Sequence, residues 1–260
     1  MPPDTPREKI VQMLLYGAEV IKVKGTAKDR IGLLMEVCET YGLYNANTPL
    51  SPYGVEGYKT TVFEEYEQVD REIPDWVIIP IGYANCFVGH WKGYSELYRL
   101  GRINRIPKLV AIQPEGSNSL VKAFKEGKKE ATPGPQNTIA GGLSTSVPLH
   151  SIKALEGIRK SNGVAETVTD KEILDAEKLL ALKAGIFAEP SGAAAVAGAI
   201  KLRKLGVINN NDKVIALVTG SGFKDMEAVA SLCNVNIREI NPDVKDFGRI
   251  LESFNKEQSR

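Results

Sequence analysis

The chain has 260 residues, enough for one large or two small domains with a sizeable core. Hydrophobic residues make up 43% and charged residues 25%, which excludes a disordered or fibrous chain. A net charge of +1 gives no basis for binding nucleic acid or an anionic membrane.

In chain order, Arg7–Tyr16 reads as a helix closed by Gly17, and Ala18–Val23 as a short strand. Thr26 caps a second helix in which Ile31, Leu34, Cys38 and Tyr41 recur at helical spacing, with Gly42 ending it. Residues Asn45–Gly57, rich in Pro, Gly, Asn and Ser, read as a loop longer than a mere connection requires. Trp76–Ile81 is an apolar run expected for a strand buried on both faces. Gly82 follows it, then a helix to about Leu100 and a strand at Lys108–Gln113. Helices are expected at Pro148–Ser161, Thr169–Ala184 and Pro190–Leu205, and a last buried strand at Lys213–Val218. The tail after Asp243 is charged and expected to fray or dock weakly. Such alternation predicts an α/β fold with a parallel sheet covered by helices.

The three cysteines, Cys38, Cys86 and Cys233, are few and far apart, which supports neither a disulfide framework nor a zinc site and fits a reducing cytoplasm. The first residues carry no apolar core, so no signal peptide is expected. The most apolar stretch, Ala184–Ile200, is broken by Glu189 and Pro190 and is short for a membrane span.

Two strands end in glycine turns, one at Gly82 and one at Thr219-Gly220-Ser221-Gly222. In open parallel sheets ligands bind beyond the carboxyl ends of strands, where turn amides and the positive end of a following helix attract an anion. Taken singly, either glycine serves backbone geometry equally well. Neither turn has the spacing of a nucleotide P-loop or a dinucleotide fingerprint. The two histidines, His90 and His150, read as surface or packing residues.

Beyond these patterns, an ordered set of motifs resembles threonine synthase, a pyridoxal-phosphate enzyme of fold type II. They are Ser51–Thr60, Ile79–Tyr94, Asn137–Ala140, Phe187–Ala195 and Val218–Asp225. The resemblance runs from about Pro6 to Ala230. It implies a partial small α/β domain over residues 1–64 and a large cofactor-binding domain over 65–260. It implies that Gly82, Tyr83, Ala84, Asn85 and Cys86 cradle the phosphate of pyridoxal 5'-phosphate and that Thr219 meets the ring nitrogen. Ser51, Tyr53 and Gly54 would lie near an amino-acid substrate. The resemblance further implies lyase chemistry in threonine biosynthesis, releasing phosphate from O-phosphohomoserine, by a cytoplasmic homodimer. Another fold type II activity, such as serine/threonine dehydratase, and a non-catalytic relative that binds a small molecule or a partner are the alternatives.

This sequence departs from the family's pattern in three places. It does not contain the segment with the Schiff-base lysine. Thr26-Ala-Lys-Asp-Arg30 looks superficially like that lysine's motif, but Lys28 follows the expected strand at 18–23 and precedes Ser51, an order that suits a solvated helix start. Asn85 and Cys86 stand where the family has Gly and Asn. Gly54 stands where it has an arginine, and glycine cannot supply a bidentate contact to a substrate phosphate. No metal-ligand pattern is apparent.

Overall fold

The structure is a computed structural model that describes residues 1–230, 239 and 242–258. Four parallel strands form one sheet among the described residues, in the order β3-β2-β1-β4. Central β1 (Trp76–Pro80) is flanked by β2 (Lys108–Pro114) and β4 (Val214–Ala216), and β3 (Val164–Val168) pairs with β2 at the edge.

All five residues of β1 are buried because each face of the sheet carries helices. Val77 and Ile79 point into one core and Trp76 and Ile78 into the other, as the strand period of two requires. On the first face lie α4 (Thr60–Gln68), α5 (Asn85–Arg99), α6 (Ser119–Lys125) and α7 (Ser151–Lys160). On the second lie α8 (Asp170–Ala184) and α9 (Pro190–Lys204). The apolar stretch at 184–200 is thus largely α9, whose small residues let it press on the sheet. A Cβ on Gly198 would lie 2.5 Å from the Ile112 side chain. No helix among the described residues is long and apolar enough to cross a membrane.

Several helix ends follow from short-range chemistry. The Thr169 hydroxyl accepts from the Glu172 amide while the Glu172 carboxylate accepts from the Thr169 amide, a capping box that starts α8, and Gly185 ends it in the left-handed region. Thr26 and Asp29 form the same box at α2 (Ala27–Tyr41), which Gly42 closes. α1 spans Arg7–Leu15.

Some elements differ from the sequence expectation. Residues 18–23 form no strand: they have no neighbouring strand to pair with, and their bonds to Met1, whose amino group donates to the Ile21 carbonyl and whose carbonyl accepts from the Val23 amide, build no ladder. The expected loop at 45–57 contains α3 (Pro52–Tyr58), started by Pro52 in the first turn, where its missing N–H costs nothing. The last strand covers Val214–Ala216 only, although the Leu217 amide still donates to the Ile78 carbonyl. Strand β3 escapes sequence reading because Glu166 and Thr167 interrupt its apolar run at an edge position. A short α10 (Met226–Ala230) follows β4, and the tail carries α11 (Val244–Gln258).

The first fifty residues contrast with this body. Helices α1, α2 and α3 bury no residue, and Leu14, Leu15, Tyr16, Leu33, Met35 and Tyr44 are exposed. Residues 52–68, by contrast, belong with the sheet: Val62 joins the first core, and α3 and α4 lie against α5. Two glycines make this contact close, since a Cβ on Gly89 would lie 2.5 Å from Tyr58 and one on Gly93 would lie 2.9 Å from Val62.

Candidate functional site

Beyond the carboxyl end of β1 the chain turns through Gly82, Tyr83 and Ala84 into α5. Ala84 sits at the N-cap with φ 69°, a left-handed conformation that alanine adopts only under constraint. It is almost fully buried, so packing imposes this geometry. No side chain caps α5, and its fifteen residues direct their first-turn amides and positive end into the turn. At Gly82 a Cβ would lie 2.6 Å from the Gly142 carbonyl oxygen, so only glycine allows this approach. Amides free of side-chain caps, a helix N-terminus and a glycine wall together fit a phosphate-sized anion.

The second turn lies beside the first because β4 pairs with β1. Thr219 presses its carbonyl on α9, where a Cβ on Gly192 would lie 1.7 Å from it. Gly220 has φ 53° and faces the Glu189 carboxylate. The Glu189 amide donates to the Gly220 carbonyl at 3.1 Å, and Ala188 and Ser221 form an antiparallel bridge. The Gly142 amide donates to the Ser191 hydroxyl at 3.0 Å, which joins the two turns through one tightly packed wall.

Asn137–Ala140 is tied down next to this wall. The Thr138 hydroxyl donates to Asp170 at 2.6 Å, and the Ile139 amide donates to the same carboxylate at 3.2 Å. Together with residues 2–6, Lys9, Lys24 and Arg30, Asn137 and Thr138 of this segment line a cleft of about 770 Å³.

Ser51 and its neighbours reach the Gly82 turn through His150, whose amide donates to the Tyr83 carbonyl at 3.2 Å while its Nε2 bonds the Pro49 carbonyl at 3.0 Å. Burial, and then the nearness of Cys86, push the Tyr58 hydroxyl upward, against the opposing influence of the Asn85 side chain. Of the substrate-side residues, Ser51 precedes α3, Tyr53 is exposed, and Gly54 is closed to a side chain because a Cβ would meet the Thr48 carbonyl at 2.8 Å. Lys28 is exposed on the first turn of α2, between the two members of the Thr26–Asp29 capping box.

Two buried features escape sequence reasoning. His90 is fully buried; Nδ1 lies 2.9 Å from the Cys86 carbonyl, and Nε2 lies 3.1 Å from Glu65, which also accepts from the Tyr94 hydroxyl at 2.7 Å. Burial alone would lower the affinity of the ring for a proton, but the bonds to Cys86 and Glu65 outweigh it and hold the pKa up, at about 10. The four-residue spacing of Cys86 and His90 is a visible signal of one helix face, whereas Glu65 comes from another helix. The other feature is Glu177, buried with no hydrogen-bond partner for either carboxylate oxygen among the described residues. Burial, and then repulsion by Asp225 and Glu189, raise its pKa to about 7.

Comparison with known proteins places this arrangement. A family model described as pyridoxal-phosphate dependent enzyme matches residues 1–220. The threonine synthase of Methanocaldococcus jannaschii is 37% identical over 248 residues, covering 95% of this chain and 60% of its own length. That of Methanosarcina acetivorans is 39% identical over 226 residues, covering 86% of this chain and 56% of its own. The chain therefore spans about 60% of the length of these curated relatives. Among solved structures, maize serine racemase superposes with a TM-score of 0.68 at 20% identity, over 100% of this chain and 70% of that one. The processed form of threonine deaminase isoform 2 from Solanum lycopersicum gives 0.72 at 22%, over 90% of this chain and 66% of that one; both likenesses concern the fold. With a parallel sheet, a glycine turn at the carboxyl end of its central strand and a family match over residues 1–220, the chain belongs to the pyridoxal-phosphate dependent enzymes.

Proposed function

We propose that this chain forms the cofactor-binding body of a threonine synthase-type enzyme and holds pyridoxal 5'-phosphate at the Gly82 turn. The observation that carries the reading is the α5 N-terminus, which opens without a side-chain cap behind the left-handed Ala84. In this reading Gly82, Tyr83, Ala84, Asn85 and Cys86 hold the phosphate through backbone amides. Thr219, on the neighbouring turn, offers its hydroxyl to the ring nitrogen, a neutral partner that leaves the ring unprotonated. The cofactor, when bound, supplies an electron sink for elimination and replacement at an amino-acid carbon. Ser51, Tyr53 and Gly54 border the substrate, and His150 keeps their segment beside the phosphate turn.

In the proposed division into residues 1–64 and 65–260, the smaller part, whose residues 52–64 already pack on α5, is completed by further residues of a longer protein. Exposure of Leu15, Tyr16 and Tyr44 supports this, since a complete domain would cover such a surface. Turnover of O-phosphohomoserine, as opposed to binding, belongs in this reading to the longer protein, a cytoplasmic homodimer. The closed Gly54 position favours the second reading, a substrate without a phosphate such as serine or threonine.

Titration of the chain with pyridoxal 5'-phosphate, followed by absorbance and by equilibrium dialysis, tests the proposal. Asn85→Asp, which adds a negative charge to the turn, is expected to weaken binding at least about tenfold, because a charge-assisted bond is worth about 1.5–3 kcal/mol. Equal affinity in the two proteins would overturn the assignment. Borohydride reduction followed by peptide mapping checks Lys28, which is expected to stay unmodified.

A further inference from the structure

The cleft of about 770 Å³ beside Asn137 and Thr138 is lined by three cations, Lys9, Lys24 and Arg30, and by one carboxylate, Asp4. Lys9 is committed to Glu189 at 3.2 Å. Arg30 donates to the Gly25 carbonyl at 2.6 Å, a neutral acceptor that leaves its charge uncompensated. Asp29, next to it in sequence, is held by Thr26 in the capping box. Neither Lys24 nor Arg30 forms an ion pair among the described residues. Gly25, Thr26 and Ala27 line the same cleft, so the first turn of α2, a helix of fifteen residues, adds its positive end to the two free cations. A concave surface with this excess of one sign attracts an anion. Gly142 belongs to the lining too, and its carbonyl oxygen is the atom that a Cβ on Gly82 would meet at 2.6 Å. The cleft and the Gly82 turn therefore share a wall.

We propose that Lys24 and Arg30 form a specificity subsite that holds the phosphate of an amino-acid substrate whose reacting carbons lie toward the Gly82 turn. A phosphate monoester carries a charge of about −1.5 to −2 near pH 7 and so engages both cations, whereas the hydroxyl of serine or threonine leaves both unpaired. The guanidinium of Arg30 supplies the forked contact for which the Gly54 position, closed by the Thr48 carbonyl at 2.8 Å, has no room. Asn137 and Thr138 form the opposite side of the cleft, and the bonds from the Thr138 hydroxyl and the Ile139 amide to Asp170 keep that side fixed. The orientation of the substrate rests on the reading of the Gly82 turn as the cofactor's place; the cleft and its free cations do not.

Calorimetric titration of the chain without cofactor, using O-phosphohomoserine, homoserine and inorganic phosphate as probes, tests the subsite. O-phosphohomoserine is expected to bind at least about tenfold more tightly than homoserine, and the double variant Lys24→Ala/Arg30→Ala to lose that advantage. Lys24→Glu alone, at an exposed position that folding tolerates, is expected to weaken binding as well, and Lys24→Arg to retain it. In residue-resolved ¹⁵N spectra the amides of residues 24–30 are expected to shift on adding O-phosphohomoserine. Absence of binding, equal affinity for the phosphorylated and unphosphorylated amino acids, or undiminished affinity in the folded variants overturns the proposal. Shifts confined to residues 82–86 place the phosphate in the turn and overturn it too. Inorganic phosphate that binds as tightly as O-phosphohomoserine makes this a site for the free anion and overturns the substrate assignment. Binding that depends on Lys24 and Arg30 in a chain that takes up no pyridoxal 5'-phosphate keeps the subsite and overturns the cofactor reading alone.

Discussion

Replacing Glu177 by Gln should remove a pH-dependent weakness from the fold. Glu177 lies on α8 among buried Ile173, Ala176 and Leu180, and its carboxylate has no hydrogen bond to lose among the described residues. Its pKa rises from 4.5 in the unfolded chain to about 7 in the fold. A carboxyl raised in this way is harmless below the unfolded value, because both states are protonated. Between 4.5 and about 7 the unfolded state ionises first, so stability falls as pH rises, and above the folded value the whole penalty is present. At about 1.4 kcal/mol per pKa unit, the full penalty is about 3.5 kcal/mol. Allowing for relaxation around the ionised group, we expect about 2 kcal/mol between pH 5 and pH 8. Urea unfolding of wild type and Glu177→Gln at both pH values measures it. Stability of the wild type should fall relative to the variant by that amount on going from pH 5 to pH 8. Subtracting the two proteins cancels the packing difference between Glu and Gln and the titration of groups that do not interact with Glu177, leaving its own titration and its coupling to Asp225 and Glu189. Parallel stability at the two pH values would refute the reasoning.

Two further substitutions probe the scaffold of the site. Thr169→Ala removes the hydroxyl half of the capping box at α8 and should cost about 1 kcal/mol in urea unfolding, with Thr169→Ser restoring most of it. Gly192→Val places side-chain atoms where the Thr219 carbonyl stands and should cost about 3 kcal/mol while weakening cofactor binding, read by denaturant midpoint and by dialysis.

What can be read from residues alone is local. The apolar run at Trp76–Pro80 and the glycine after it are consecutive in sequence, so the central strand and its turn are visible without any contact information. The capping roles of Thr26 and Gly42 are equally local, because each cap and its hydrogen-bond partner lie within four residues. The ordered motifs from Ser51 to Asp225 led to the family to which the chain belongs.

Other features depend on partners distant in the chain. Residues 18–23 have strand-like composition and yet form no strand, since a strand exists only when another lies beside it. Glu65 and His90 are 25 positions apart and meet only because Gly89 and Gly93 let α3 and α4 lie directly on α5. The same is true of Glu177, whose sequence setting is that of an ordinary amphipathic helix and whose burial comes from packing with α9. Sequence by itself determined the strand, the glycine turn and the helix of the candidate site, because hydrogen bonds and dihedral preferences act over a few residues. Only the tertiary structure decided which charges were taken out of water around that turn, because desolvation depends on what packs against a residue from elsewhere in the chain.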